Sequence, residues 1–209
     1  SGEGSNDWSG TLQMLGFSTS DFAAESVSFN AGGVAANLED PLNRRITFNG
    51  EGAIEGISAS SQEVADALGP QVGLGLAGLW QADAPITLAQ LRVVGRALLL
   101  EMEGEIEGTE FDGNIALVAD SLAPFSGLAG RDLSGSIALD ATGTLAPTIG
   151  GFDLNLDGTA TNLALGDPLA DGLIGGSAQL GGRVARTETG IEAENFTLTT
   201  SEVSIRADG

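Results

Sequence analysis

The sequence predicts an all-β fold, an antiparallel meander of many short strands. Three observations point to it. Apolar and polar residues alternate along most of the chain, Gly, Asn and Asp interrupt the alternation at short intervals, and the whole pattern repeats once at an offset of roughly 105 residues. Alternation with a period of two sends successive side chains to opposite faces, so one face of each strand is dry and the other wet. A duplication this long indicates an architectural unit.

The repeat is legible in blocks. Leu91 aligns with Phe196, Val93 with Leu198, Leu98 with Val203, Leu100 with Ile205 and Gly104 with Gly209. At the same offset Ala65, Asp66 and Leu68 fall on Ala170, Asp171 and Leu173. The stretch Ile46–Gly50 reads like Leu154–Gly158, and Gly10, Leu12, Met14 and Phe22 match Gly113, Ile115, Leu117 and Phe125. The offset drifts slightly between blocks, as insertions in turns would cause. The two copies run over about 1–104 and 105–209, with strand patterning continuous through Glu101–Leu117 and no linker rich in Pro or charge between them.

In chain order, the first helix signal is Ser60-Ser-Gln-Glu63, which has the form of a capping box and precedes Val64, Ala65, Ala67 and Leu68, with Gly69-Pro70 as a stop. One short helix over Ser61–Leu68 is predicted, and its repeat partner near Pro168–Leu173 is one turn at most. Val72-Gly-Leu-Gly-Leu76 alternates apolar residues with glycine. Leu122–Leu128, which contains Pro124, reads as a loop. In Ser136–Leu145, Ile137, Leu139, Ala141 and Leu145 share a face, and in Phe152–Gly158 so do Phe152, Leu154 and Leu156, opposite Asp153, Asn155 and Asp157. Thr197–Arg206 repeats this with Leu198, Val203 and Ile205. The pairs Asn49-Gly50, Asp112-Gly113, Asp157-Gly158, Gly150-Gly151 and Gly181-Gly182 read as tight hairpin turns. About fourteen strands result.

Composition excludes much chemistry. The 209 residues carry a net charge of −21, and all eight cations are Arg. Such a field repels nucleic-acid phosphates and anionic lipid surfaces, although it does not oppose an acyl chain held by apolar contact. There is no Cys, so disulfides, thiol chemistry and Cys-ligated metals are out. There is no His, Lys or Tyr, which removes Ser-His-Asp triads, His-ligated metals, Schiff bases and P-loop lysines. Carboxylates and Ser/Thr hydroxyls remain, and no spacing singles out a catalytic pair. No catalytic residue, metal ligand or cofactor is assigned. No run approaches the roughly 18 apolar residues of a membrane span, and no signal peptide starts the chain. Ser1–Ser5 reads as a linker edge, and Ile205–Gly209 stops where a strand would hand over to the next. The chain therefore reads as a segment of a longer protein.

Glu101, Glu103, Glu105 and Glu107 alternate, followed by Glu110 and Asp112. They suit either a divalent-cation patch or a solvated outer face that blocks edge-to-edge aggregation, and the second is the commoner use of such a pattern. Gly150–Asp157 faintly echoes a calcium β-roll, without its spacing or reiteration. Trp8 and Trp80 read as rim or end-of-strand contacts.

The cadence of Leu133–Leu145, of Phe152–Leu163, of Leu173–Val184 and of Gly190 through Leu198 and Val203 to Gly209 resembles the AsmA/TamB-like family of Gram-negative envelope proteins. Within it the likeness is to an internal segment of the TamB branch, and it is strongest from about Ala65 onward. The resemblance implies an elongated meander curled into an open half-pipe (a β-taco, or β-groove) with an apolar concave face. It also implies a protein anchored in the inner membrane that crosses the periplasm and carries phospholipid toward the outer membrane. Its partner would be an Omp85-type, TamA-like β-barrel. On that reading the groove holds phospholipid acyl chains, and its candidate lining is Val72, Leu74, Leu76, Leu91, Val93, Leu98, Leu100, Ile137, Leu139, Leu145, Phe152, Leu154, Leu156, Leu198, Val203 and Ile205. The same alternation suits a closed core between two sheets. The second hypothesis is therefore an adhesin or stalk of two tandem β-sandwich domains of about 105 residues, a size typical of immunoglobulin-like modules.

Overall fold

A computed structural model of the chain describes residues 5–19, 22–59, 62–174, 176–187 and 190–209. Thirteen strands form one antiparallel sheet. β1 (Ser5–Ser18), β2 (Phe22–Ala36) and β3 (Arg45–Glu55) begin it, and the two-residue β4 (Ser58–Ala59) pairs with the start of β2. There follow β5 (Gln71–Gln81), β6 (Ile86–Val94), β7 (Leu98–Glu107), β8 (Glu110–Ala119), β9 (Ser134–Ala146), β10 (Gly151–Ala164), β11 (Gly176–Thr187), β12 (Gly190–Thr200) and β13 (Ser204–Ala207). Apart from β4, spatial order equals sequence order from β1 to β13. The sheet is not closed into a barrel, an arrangement consistent with an open half-pipe. At about 4.8 Å between strands it extends about 50 Å. Tandem immunoglobulin-like sandwiches would need two sheets per domain and Greek-key crossings. One continuous meander provides neither.

The dipeptides read as turns divide into two groups. Gly150-Gly151 does close the β9–β10 hairpin, with Gly150 at φ +67°. Asn49-Gly50, Asp112-Gly113 and Asp157-Gly158 lie inside strands, which explains why the strands are longer than predicted. Gly50 and Gly158 make room for neighbouring side chains, and Gly113 lets the backbone of Glu103 and Gly104 approach. A Cβ on Gly50 would sit 2.7 Å from the Phe29 ring, and one on Gly158 would sit 3.0 Å from both Leu139 and Leu180. Gly181-Gly182 marks a bulge, where the β11–β12 register shifts between Gly181 and Arg183.

Helix is confined to short segments at one end of the sheet. α1 (Gln62–Leu68) forms where predicted, although the Ser60 and Ser61 of its capping box lie outside the described residues. α3 (Pro168–Ile174) is its repeat partner, and spans seven residues rather than one turn. The segment read as a loop is a 3₁₀ turn, Ala123–Phe125, leading into α2 (Ser126–Ala129). Pro124 does not prevent this, because the first turn of a helix needs no amide hydrogen there. The turn docks against α1, and Leu122 is buried beside it. All three helices connect strands at the same edge, the helical rim, which also carries the β1–β2, β6–β7 and β12–β13 turns; the opposite edge, the hairpin rim, carries the other five.

Two features of the sheet recur at the spacing of the sequence repeat. α1 separates β3 from β5, and α3 separates β10 from β11. A second bulge shifts the β5–β6 register between Ala77 and Gly78, as the one at Gly181 shifts β11–β12. β1, β2, β3, β5, β6 and β7 thus correspond to β8 through β13. The boundary falls in the hairpin at Gly108-Thr109 within the one sheet, and not between two lobes.

Candidate functional site

Register partners in an antiparallel sheet share a face. Followed across the sheet, the pairings put one row on a single face: Leu12, Phe29, Gly52, Leu74, Val93, Leu100, Leu117, Leu139, Gly158, Leu180, Leu198 and Ile205. It crosses every strand from β1 to β13 except the short β4 and holds no polar side chain. Both glycines in it are overlaid by neighbours, Gly52 by Phe29 and Gly158 by Leu139 and Leu180. A parallel row toward the hairpin rim contains Leu76, Leu91, Met102, Ile115, Ala141 and Leu156. The strip is therefore about 50 Å long and at least two residues deep over β5 to β10.

Every residue predicted to line a groove falls on this face except Val203. That residue lies in the β12–β13 turn, where its amide takes a hydrogen bond to the Thr200 hydroxyl and its carbonyl accepts one from the Thr200 amide. Several lining residues were missed. Leu88 is among the most buried large side chains, yet strict alternation from Leu91 and Val93 puts it on the wrong face. The β5–β6 bulge inserts one extra residue, so Ile86 and Leu88 join Leu91 and Val93. Only pairing reveals that inversion. Leu12, Phe29 and Phe48 were missed because the resemblance is weak before Ala65, although their alternation is visible. Trp80 pairs with Ile46 one residue before β5 ends, an end-of-strand position as read.

The strip is not a closed core. Among the described residues no large side chain is fully buried, and the buried apolar set is mostly alanine, with Val72, Leu88, Phe111 and Leu122. The chain exposes 12522 Å². A folded protein of this mass is expected to expose about 9,000 Å². The excess of about 3,500 Å² belongs to a sheet without a second layer. A long apolar strip left open on such a sheet is characteristic of a binding surface.

The other face is mostly polar, apart from a short apolar run of Val94, Leu99, Val118 and Ala138 toward the helical rim. Thr11, Asn30, Glu51, Arg92, Glu101, Asp140, Asp157, Thr197 and Arg206 lie in one of its rows, with Gly75, Ala116 and Gly181 between them. Glu101 and Glu103 are here, opposite Met102. Arg92 pairs with Glu101 at 3.1 Å and Asn114 donates to Glu103. No three carboxylates among the described residues are gathered to hold a metal. Asp153, in the stretch that echoes a β-roll, accepts both arms of Arg183. A hollow of about 900 Å³ is also on this face, over β2 to β6, where Gly73 and Gly75 provide no side chains.

No helix among the described residues is long and apolar enough to cross a membrane. The chain matches no family model, no curated protein and no solved structure.

Proposed function

We propose that this chain is a non-enzymatic lipid-conduit segment that holds phospholipid acyl chains along its apolar strip. The observation that carries the reading is the uninterrupted apolar row from Leu12 to Ile205 on a sheet that nothing covers. At roughly 25 cal/mol per Å², covering about 300 Å² of it is worth about 7 kcal/mol before the cost of association. That contact needs no charge, so the net charge of −21 does not oppose it. The hydrocarbon core of a bilayer is about 30 Å thick, so one acyl chain spans about 15 Å, and the strip has length for several in succession. Following the resemblance, the whole protein is a TamB-like bridge anchored in the inner membrane of a Gram-negative cell. It works in the periplasm with an Omp85-type outer-membrane barrel and supports outer-membrane biogenesis.

The test is lipid extraction and native mass spectrometry of the purified chain. Phospholipid that co-purifies, and is lost in Leu154→Asp or Leu156→Asp, supports the proposal. A lipid-free chain that unfolds as two independent lobes overturns it.

A further inference from the structure

We infer that Arg186 is a phosphate anchor at the margin of the apolar strip. It would hold the anionic headgroup of an amphiphile whose acyl chain lies across the strip beside Val184 and Leu154. The inference rests on the conduit reading above and adds to it a headgroup chemistry and a place.

Five arginines lie in strands. Arg45, Arg92, Arg183 and Arg206 fall in polar rows. Arg186 alone is on the apolar face among the described residues: its register partners are Phe152 and Ile191, and Phe152 in turn pairs with Leu145. Arg92, Arg183 and Arg206 are bridged to carboxylates at 3.1, 2.7 and 3.4 Å, whereas no carboxylate among the described residues pairs with Arg186. Among the described residues the one carboxylate whose strand position puts it on this face, Glu25, is on β2 near the opposite rim. No acid among the described residues answers this guanidinium, and a ligand that brings its own anion would supply the partner.

The surroundings suit an amphiphile. Arg186 is near the hairpin end of β11, with its guanidinium beside Gly150, where no side chain stands in front of it. Ile191, its register partner on β12 and 70% exposed, is an apolar neighbour on the same face. Inward along the strand come Val184 and then Leu180 of the long row, six residues away. At about 3.4 Å per residue that is about 20 Å, enough for one acyl chain. A guanidinium presents a planar fork of donors that matches phosphate oxygens two at a time, which an ammonium cannot do.

The test compares two amphiphiles with the same chain, dodecyl phosphate and dodecyl maltoside, binding to the wild type, Arg186→Gln and Arg186→Lys, with inorganic phosphate as competitor. The inference expects Arg186→Gln to weaken dodecyl phosphate by about ten- to a hundredfold, the scale of a charged hydrogen bond, with maltoside binding unchanged. Arg186→Lys should recover part of the loss. Inorganic phosphate at millimolar levels should not displace the amphiphile. If Arg186→Gln binds both amphiphiles as the wild type does, Arg186 is no anchor and the conduit reading stands. If inorganic phosphate competes at those levels, the site takes free phosphate and the headgroup assignment fails. If the wild type binds neither amphiphile, the conduit reading falls and takes the anchor with it. Circular dichroism of Arg186→Gln separates lost binding from lost fold.

Discussion

Arg183 holds Asp153 with two parallel hydrogen bonds, Nε to Oδ1 and Nη2 to Oδ2, both 2.7 Å. Its third arm reaches Glu194 at 3.2 Å. One guanidinium from β11 thus ties β10 and β12 together across the polar face. The fork geometry gives this contact an orientation that an exposed Lys–carboxylate pair lacks.

The pair makes stability depend on acidity. The hydrogen bonds from Arg183 hold the Asp153 carboxyl below its ordinary 3.8, with the cation's charge acting the same way and slight desolvation opposing it. A carboxyl with a lowered pKa stabilises the fold at pH above its unfolded value, and that contribution disappears as pH falls through the folded value. Urea midpoints should therefore drop below about pH 4. Asp153→Asn should lower the midpoint at pH 7 and flatten part of the acid limb. Both groups are partly exposed, so the effect should be modest. An unchanged acid limb in the variant would show that the pair contributes nothing.

Glycines inside strands should not be interchangeable. A Cβ on Gly113 would sit 2.1 Å from the Glu103 carbonyl oxygen, and backbone cannot yield there as a side-chain tip can. Gly113→Ala should destabilise by about 3 kcal/mol or more, and Gly158→Ala, whose neighbours are leucine side chains, by about 1 kcal/mol. Gly10→Ala meets nothing within 4 Å and should be near neutral. Equilibrium urea denaturation of the three variants ranks them.

Deleting Ala89 should remove the bulge and straighten β6 without turning Ile86 and Leu88 over, because Leu88, Gln90 and Leu91 then alternate without interruption against β5 and β7. Leu88, 5% exposed, should stay on the apolar face, and the variant should lose no more than about 1 kcal/mol. A loss of about 2–5 kcal/mol, as on removing a buried leucine, would show that the two residues no longer reach the strip. Substituting Ala89→Ser keeps the inserted residue and should be tolerated, which provides the control in the same denaturation series.

β1 is a long strand at one end of the sheet with a single charge, Asp7, and no proline. Edges of that kind are usually blunted by Lys, Pro or bulges. We expect concentration-dependent self-association through β1, stronger at high salt as repulsion between chains of net charge −21 is screened. Leu15→Lys, at an exposed position on this edge, should suppress it. Sedimentation velocity at two salt concentrations reads the outcome. Association that rises at low salt and ignores Leu15→Lys would locate the contact elsewhere.

Much of the candidate site was legible because alternation is a local property. Leu154 and Leu156 declare their face by their neighbours Asp153, Asn155 and Asp157, and the pairing with Gly143 and Ala141 agrees. Leu88 was not legible, because a bulge inverts the face without any change in composition. Asp157-Gly158 looked like a turn because it has turn chemistry; inside the sheet Gly158 provides the gap that Leu139 and Leu180 fill. Arg186 was legible but passed over: alternation alone puts it with Val184 and opposite Arg183 three residues earlier, and its pairing with Phe152 agrees.

By itself the sequence determined the class of fold, the dry and wet faces of most strands and the duplication, because each is written in spacing along the chain. Tertiary structure decided that the two copies share one sheet, that twelve dry faces align into a single strip, and that no second layer covers it. Those are statements about which strand lies beside which. Register, bulges and the choice between stacking sheets and extending one depend on contacts between residues far apart in the chain, and no local pattern encodes them.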